Sequence, residues 1–219
     1  MNFVGHIAVG RIVENRPTAD AAFLLGTGLP DFAAMARVRI ARVEGPMGDG
    51  MDVHHQTDAV FHRGHWFLES EHELLADLER ASFPRGAALA CAHVGIELLL
   101  DGELVRDPST ADAVRAVYVL MAAPPESALV AAPLTVRAHW ADTLSGIAAR
   151  LDPEGYGDPH TVAVRLHRVT SRRPRLAFAP DLLPALADRL SAHQPRIAAA
   201  APTVLDGVAT AVRTTLGNT

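Results

Sequence analysis

Lysine is missing from this chain: all 20 basic side chains among its 219 residues are arginine. That excludes a phosphate-loop lysine, a Schiff-base lysine and a lysine general base. Cysteine is nearly missing too. The single Cys91 cannot close an intrachain disulfide, and its setting in Ala87-Ala88-Leu89-Ala90-Cys91-Ala92 reads as packing rather than as a nucleophile. Aromatic residues make up only 5% and do not interleave with the arginines, and the formal charge of -5 comes without a long block of one sign. Both facts argue against a nucleic-acid binder. No apolar run escapes proline or charge for the roughly 18 residues a membrane helix needs. The opening segment Met1 to Arg11 has no basic region and is interrupted by His6 and Arg11, so neither a signal peptide nor a membrane span is predicted, and the expected location is the cytoplasm.

What is present is apolar residue, 49% of the chain, enough for a substantial core in one domain over residues 1–219. The pattern predicts helices almost throughout, with no convincing period-2 alternation. A first helix runs from Phe3 to before Pro17, and Thr18 or Asp20 caps a second. Gly26-Thr27-Gly28-Leu29-Pro30 reads as a turn that puts Asp31 at the start of the next helix. Gly45 to Gly50 is loop-like, and a histidine-rich helix should follow it. Further helices are predicted over Glu69 to Arg80, then after a break at Ser82 to Gly86 an apolar helix ending near Leu104, and over Ala111 to Ala122 (capped from Asp107), Thr135 to Leu151, His160 to Val169, Asp181 to His193 and Ile197 to Leu216, with joints at Pro124-Pro125, Pro153, Pro174, Pro180 and Pro195.

Histidine is 11 of 219 residues, about 0.6 per twelve-residue window, yet His54, His55, His62 and His65 fall within one such window. On a continuous helix at about 100° per residue, His54, Asp58, His62 and His65 would project near 0°, 40°, 80° and 20°. His93, Glu97 and Asp101 repeat the spacing on a second predicted helix. Two such helices facing each other would converge on a divalent metal, with donors suited to zinc, iron, nickel or manganese. His72, His139, His160 and His193 read as surface or hydrogen-bonded histidines.

Ordered motifs add a resemblance. Met1-Asn2-Phe3-Val4-Gly5-His6 is similar to the opening M-N-F-L-A-H of the acyl carrier protein phosphodiesterases, all-helical relatives of the HD-domain metal-dependent phosphohydrolases. Gly26-Thr27-Gly28-Leu29-Pro30-Asp31-Phe32 resembles their G-N-L-L-x-D-F, Gly50 to Asp58 their G-I-x-x-H-R-x-I-D, and Ser171-Arg172-Arg173-Pro174-Arg175-Leu176 their N-R-R-P-R-L. The resemblance implies an all-α, HD-like bundle with a metal between helices. It also implies hydrolysis of the phosphodiester that joins 4'-phosphopantetheine to acyl carrier protein, with manganese as the usual metal. His6, Asp31, His54 and Asp58 occupy matching positions. The chain departs at His55, where the family has arginine, at His62, where it has aspartate, and over His93 to Leu98, where it has D-V-x-x-D-H. Imidazole in place of carboxylate moves the metal preference toward zinc, iron or nickel.

The expected metal ligands are therefore His6, Asp31, His54, Asp58, His62, His93 and Glu97. Asp58 or Glu97 would orient a water, His55 or His65 would donate a proton to the leaving group, and Arg63 or Arg172 and Arg173 would hold phosphate oxygens. Arg37, Arg39 and Arg42, or the Arg172, Arg173, Arg175 group, offer a dock for an acidic carrier protein. Two other readings fit the same residues: a phospholipase C-like or other small-molecule phosphodiesterase, and a non-enzymatic protein whose metal only staples helices.

Overall fold

Cap residues ahead of apolar stripes, and the lack of strand-like alternation, should give helices, and they do. The computed structural model describes residues 1–15, 20–150 and 152–217; among them there are ten α-helices and no strand. In chain order these are α1 (Phe3–Glu14), α2 (Ala21–Ala36), α3 (Pro46–Phe61), α4 (His65–Arg80), α5 (Arg85–Leu104), α6 (Pro108–Ala122), α7 (Glu126–Val130), α8 (Arg137–Ala148), α9 (Pro159–Thr170) and α10 (Leu183–Gly217). Three short 3-10 turns, Leu134–Val136, Glu154–Gly157 and Pro180–Leu182, link the later helices. No helix of the described residues is long and apolar enough to cross a membrane.

The caps follow the chemistry of their residues. Asp20 accepts from the Ala22 N–H ahead of α2, and Asp107 accepts from the N–H and hydroxyl of Thr110 ahead of α6. Pro17, Thr18 and Leu151, named above as a helix limit, a cap and a helix end, lie outside the described residues. α5 is buried nearly all round, from Ala87 and Ala88 through Ile96 and Leu98 to Leu104, as a helix apolar on every face should be. It packs against α1, α4, α9 and α10, and it carries Glu97 and Asp101 into the interior.

Four expectations are corrected, the first being the loop at Gly45 to Gly50, since α3 already opens at Pro46. Gly26 to Pro30 is no turn: α2 runs straight through it, and Asp31 lies inside the helix. The glycines are there for close packing. A Cβ on Gly26 would stand 2.1 Å from the Met47 carbonyl oxygen, and one on Gly50 2.1 Å from that of Phe23, so α2 and α3 cross backbone to backbone. Pro195 is no joint either, since α10 continues through Pro195 and Pro202 over 35 residues. Each proline removes one N–H, but the buried stripe Leu186, Leu190, Ile197, Ala201, Val208 and Val212 runs on past both of them. The histidine-rich segment is not one helix: α3 ends at Phe61, His62 is its C-cap, and a turn at Arg63 and Gly64 precedes α4, which opens at His65.

Candidate metal centre

Four helices bring the donors together. α1 supplies His6, α2 Asp31, α3 His54 and Asp58, and α5 His93 and Glu97, with His62 coming from the cap of α3. The close α2–α3 crossing sets Asp31 and the Thr27 carbonyl beside α3. Two three-residue groups result, His6, His54 and Asp58, and His62, His93 and Glu97; within each, one ligand atom per residue lies within 4.8 Å of the others.

In the first group, His6 Nε2 is 3.2 Å from Asp58 Oδ1 and 3.9 Å from Asp31 Oδ2, and His54 Nε2 is 3.5 Å from Asp58 Oδ2. The His6 and His54 rings stack with centroids 3.9 Å apart. His6 is fully buried, yet neither of its ring nitrogens makes a hydrogen bond of proper geometry, and the Oδ2 of Asp31 is likewise buried without one. Polar atoms so placed are costly unless something satisfies them. In the second group, His62 Nε2 is 3.0 Å and His93 Nε2 3.6 Å from Glu97 Oε1. The His62 and His93 rings stack at 5.2 Å, and Phe67 meets both edge-on. The Met1 α-ammonium lies between the groups, 3.0 Å from Asp58 Oδ1, 3.0 Å from Glu97 Oε1 and 3.2 Å from His62 Nε2.

Three of the four imidazoles are oriented alike. His54 Nδ1–H donates to the Thr27 carbonyl at 2.9 Å, His62 Nδ1–H to the Asp58 carbonyl at 3.1 Å, and His93 Nδ1–H to Glu71 Oε1 at 2.8 Å. Each Nδ1–H bond turns Nε2 toward the carboxylates, and His62 Nε2 is also in hydrogen-bond reach of Glu97 Oε1 and the Met1 ammonium. Imidazoles that bind metals are held in this way.

No protein-family model, curated protein or solved structure matches the chain. Burial lowers the His6 pKa and takes His54 down to about 3, so both rings are neutral and able to ligate. Burial works to raise Asp58, but the His6 ring and the Met1 ammonium outweigh it and hold the carboxyl below its ordinary range. Glu97 is the same case, with His62, Met1 and His93 overcoming its burial. Asp31 goes the other way, pushed well up by burial and then by the charge of Asp58. A divalent cation would reverse that shift and satisfy the orphaned atoms of His6 and Asp31, so the residues fit a metal.

Not every expected residue arrives. His65 is 84% exposed and pairs with Glu69 at 3.0 Å, because the turn at Arg63 and Gly64 swings it away from His54. His55 and Arg63 are exposed, His55 touching the site only through an edge contact to the His54 ring. Asp101 lies one turn beyond Glu97 and binds backbone: its Oδ1 accepts from Gly5 N–H, and its Oδ2 from Val4 N–H and Asn2 Nδ2. Glu71 and the Thr27 carbonyl were missed. Glu71 had a signal, a carboxylate on the helix next to that of His93; a backbone carbonyl leaves none in the sequence.

Proposed function

We propose that this chain is a metal-dependent phosphodiester hydrolase, HD-like in fold, with its metal centre between α1, α2, α3 and α5. One observation carries the reading: His54, His62 and His93 all use Nδ1–H outward and turn Nε2 inward, around the buried, unpartnered His6. Four imidazoles and three carboxylates suit zinc, iron, nickel or manganese, and His6, His54 and Asp58 would hold one ion together. A metal bound here would lower the pKa of a water to about 7 and polarise a phosphoryl oxygen. Asp58 and Glu97, both held ionised, would accept and orient that water's proton. His6 and His54, kept neutral by burial, would remain ligands rather than acids. Phe61 and Phe67, packed at 4.6 Å, wall one edge of the His62 and His93 rings, which stay partly open to solvent.

The carrier-protein activity, with an acidic partner in the cytoplasm, is one form of this proposal. The small-molecule phosphodiesterase is the form favoured by a specific observation: His62, His93 and Glu97, where the chain leaves the carrier-protein pattern, are together the second donor group. Arg42 also has its guanidinium engaged by Asp49 and Asp52, which weakens the patch it forms with Arg37 and Arg39 as a dock for an acidic protein.

The test combines elemental analysis with hydrolysis of bis(4-nitrophenyl) phosphate and release of phosphopantetheine from holo-acyl carrier protein. Asp58→Ala should lower turnover by roughly 10³-fold while circular dichroism stays helical. A metal-loaded chain that hydrolyses neither substrate, and merely melts earlier after chelation, would establish the stapling role instead.

A further inference from the structure

Beside the metal centre, on the far side of Asn2 and of the α5 face that carries Val94 and Leu98, two hollows adjoin. The nearer, about 190 Å³, lies between α5, α9 and the end of α2 and is walled mainly by apolar side chains, with Arg165 and Arg173 at its rim. The farther, about 340 Å³, shares Met35, Arg165 and Val169 with it and adds Arg150, Arg168 and Arg172, with one acid, Asp152. Val94 and Leu98 neighbour His93 and Glu97 in the helix, Asn2 follows Met1, and Met35 is one turn from Asp31, so the first hollow is built on the same helices as the donors, none of which lines it.

Arg11, Arg42, Arg80, Arg85, Arg106, Arg115, Arg137 and Arg196 are all ion-paired. Among the described residues, Arg150, Arg165, Arg168, Arg172 and Arg173 have no carboxylate within pairing distance. What sets these arginines apart is that they gather in one concavity; Arg37, Arg39, Arg63, Arg175, Arg189 and Arg213 also lack an ion pair among the described residues but do not line these two hollows together. Unpaired cations gathered in one concavity attract an anion. A second observation is independent of charge. Tyr156, which lines the larger hollow, is 1% exposed and its hydroxyl has no hydrogen-bond partner, while Arg165 stacks over its ring at 5.0 Å. A buried, unpartnered O–H is a donor held ready for a ligand. Met35, Val164 and Val169 stay half exposed between the arginines, so the surface is apolar as well as basic.

We propose that the two hollows form a binding site for an amphipathic anion, with an apolar segment in the nearer hollow and its anionic group in the farther one. Arg165, Arg168 and Arg172 and the Tyr156 hydroxyl hold that group. Taken with the hydrolase reading, on which this clause rests, the substrate is a phosphodiester one arm of which carries an apolar stretch ending in a second anion.

The binding claim is tested without turnover. Titration calorimetry of the metal-loaded chain with octane-1-sulfonate, a poor metal ligand, should give one site at least tenfold tighter than for inorganic sulfate or for neutral octyl glucoside. The paired change Arg168→Gln with Arg172→Gln, both exposed, should weaken it at least tenfold, and Tyr156→Phe several-fold, whereas Asp58→Asn should leave it unchanged. Equal affinity in the arginine variant, or loss of binding in Asp58→Asn alone, overturns the assignment. If octane-1-sulfonate binds as stated in a chain without phosphodiesterase activity, the site stands and only its link to that substrate falls.

Discussion

Asp101 shows how much one buried side chain does for the site without belonging to it. It has no exposure, and donors reach both of its oxygens from the first turn of α1, the turn that holds His6. Removing it leaves the N–H groups of Val4 and Gly5 and the amide of Asn2 unsatisfied in the interior, where each orphan costs about 1–3 kcal/mol. Asp101→Ala should therefore lose at least about 3 kcal/mol in urea unfolding, and metal affinity should fall because the turn that holds His6 loses its anchor. Burial pushes the Asp101 carboxyl up, to about 8, against the pull of the Gly5 and Val4 N–H groups. The folded state then keeps a proton that the unfolded chain releases near about 3.9, so stability should decline as pH rises between those values. Unfolding midpoints at pH 6 and pH 8.5 measure that decline, and Asp101→Ala should flatten it.

At the scale of helices, the α2–α3 crossing sets how far the α2 and α3 donors stand apart. Gly50 has the Phe23 carbonyl oxygen 2.1 Å from where a Cβ would lie, and that obstacle is backbone. Gly50→Ala should force the helices apart, lower stability by about 1–3 kcal/mol, the range for overpacking, and weaken metal binding in a calorimetric metal titration. Gly207 is the control, with nothing within 4 Å of its position in the middle of α10; Gly207→Ala should gain up to about 1 kcal/mol. A Gly207 variant as damaged as the Gly50 variant would show that helix crossing is not what the glycine serves. The same crossing explains what the sequence did and did not disclose. Helices were legible from caps and periodicity, and His54 with Asp58, and His93 with Glu97, from their four-residue spacing. Gly26 and Pro30 misled because a glycine that admits a neighbouring backbone looks, in one dimension, like a glycine that makes a turn. His65 misled because a helical wheel assumes a continuous helix, and two residues of turn after His62 are enough to aim it at solvent.

Across the molecule, α10 is the strap: it touches α1, α3, α4, α5 and α9, and so closes the bundle on which the donors stand. It is tied to α4 by Nε2–H of His193 donating to Asp77 Oδ2 at 2.9 Å and by an ion pair between Arg196 and Glu73. The histidine bond, with a further pull from the nearby Arg80, holds the Asp77 carboxyl below its ordinary value. A depressed carboxyl stabilises the fold fully above its unfolded pKa of about 3.9, and the contribution is lost as pH falls through the lower folded value. His193→Ala should cost about 1.5–3 kcal/mol at pH 7, the range for a hydrogen bond to a charged group. The cost should shrink as pH falls below about 3.9 and on through the lower folded value, where Asp77 becomes protonated in both states. Thermal unfolding of the two proteins between pH 7 and pH 3 checks this: melting temperatures that stay equally far apart over the whole range would mean that His193 stabilises the strap through packing and not through its bond to Asp77.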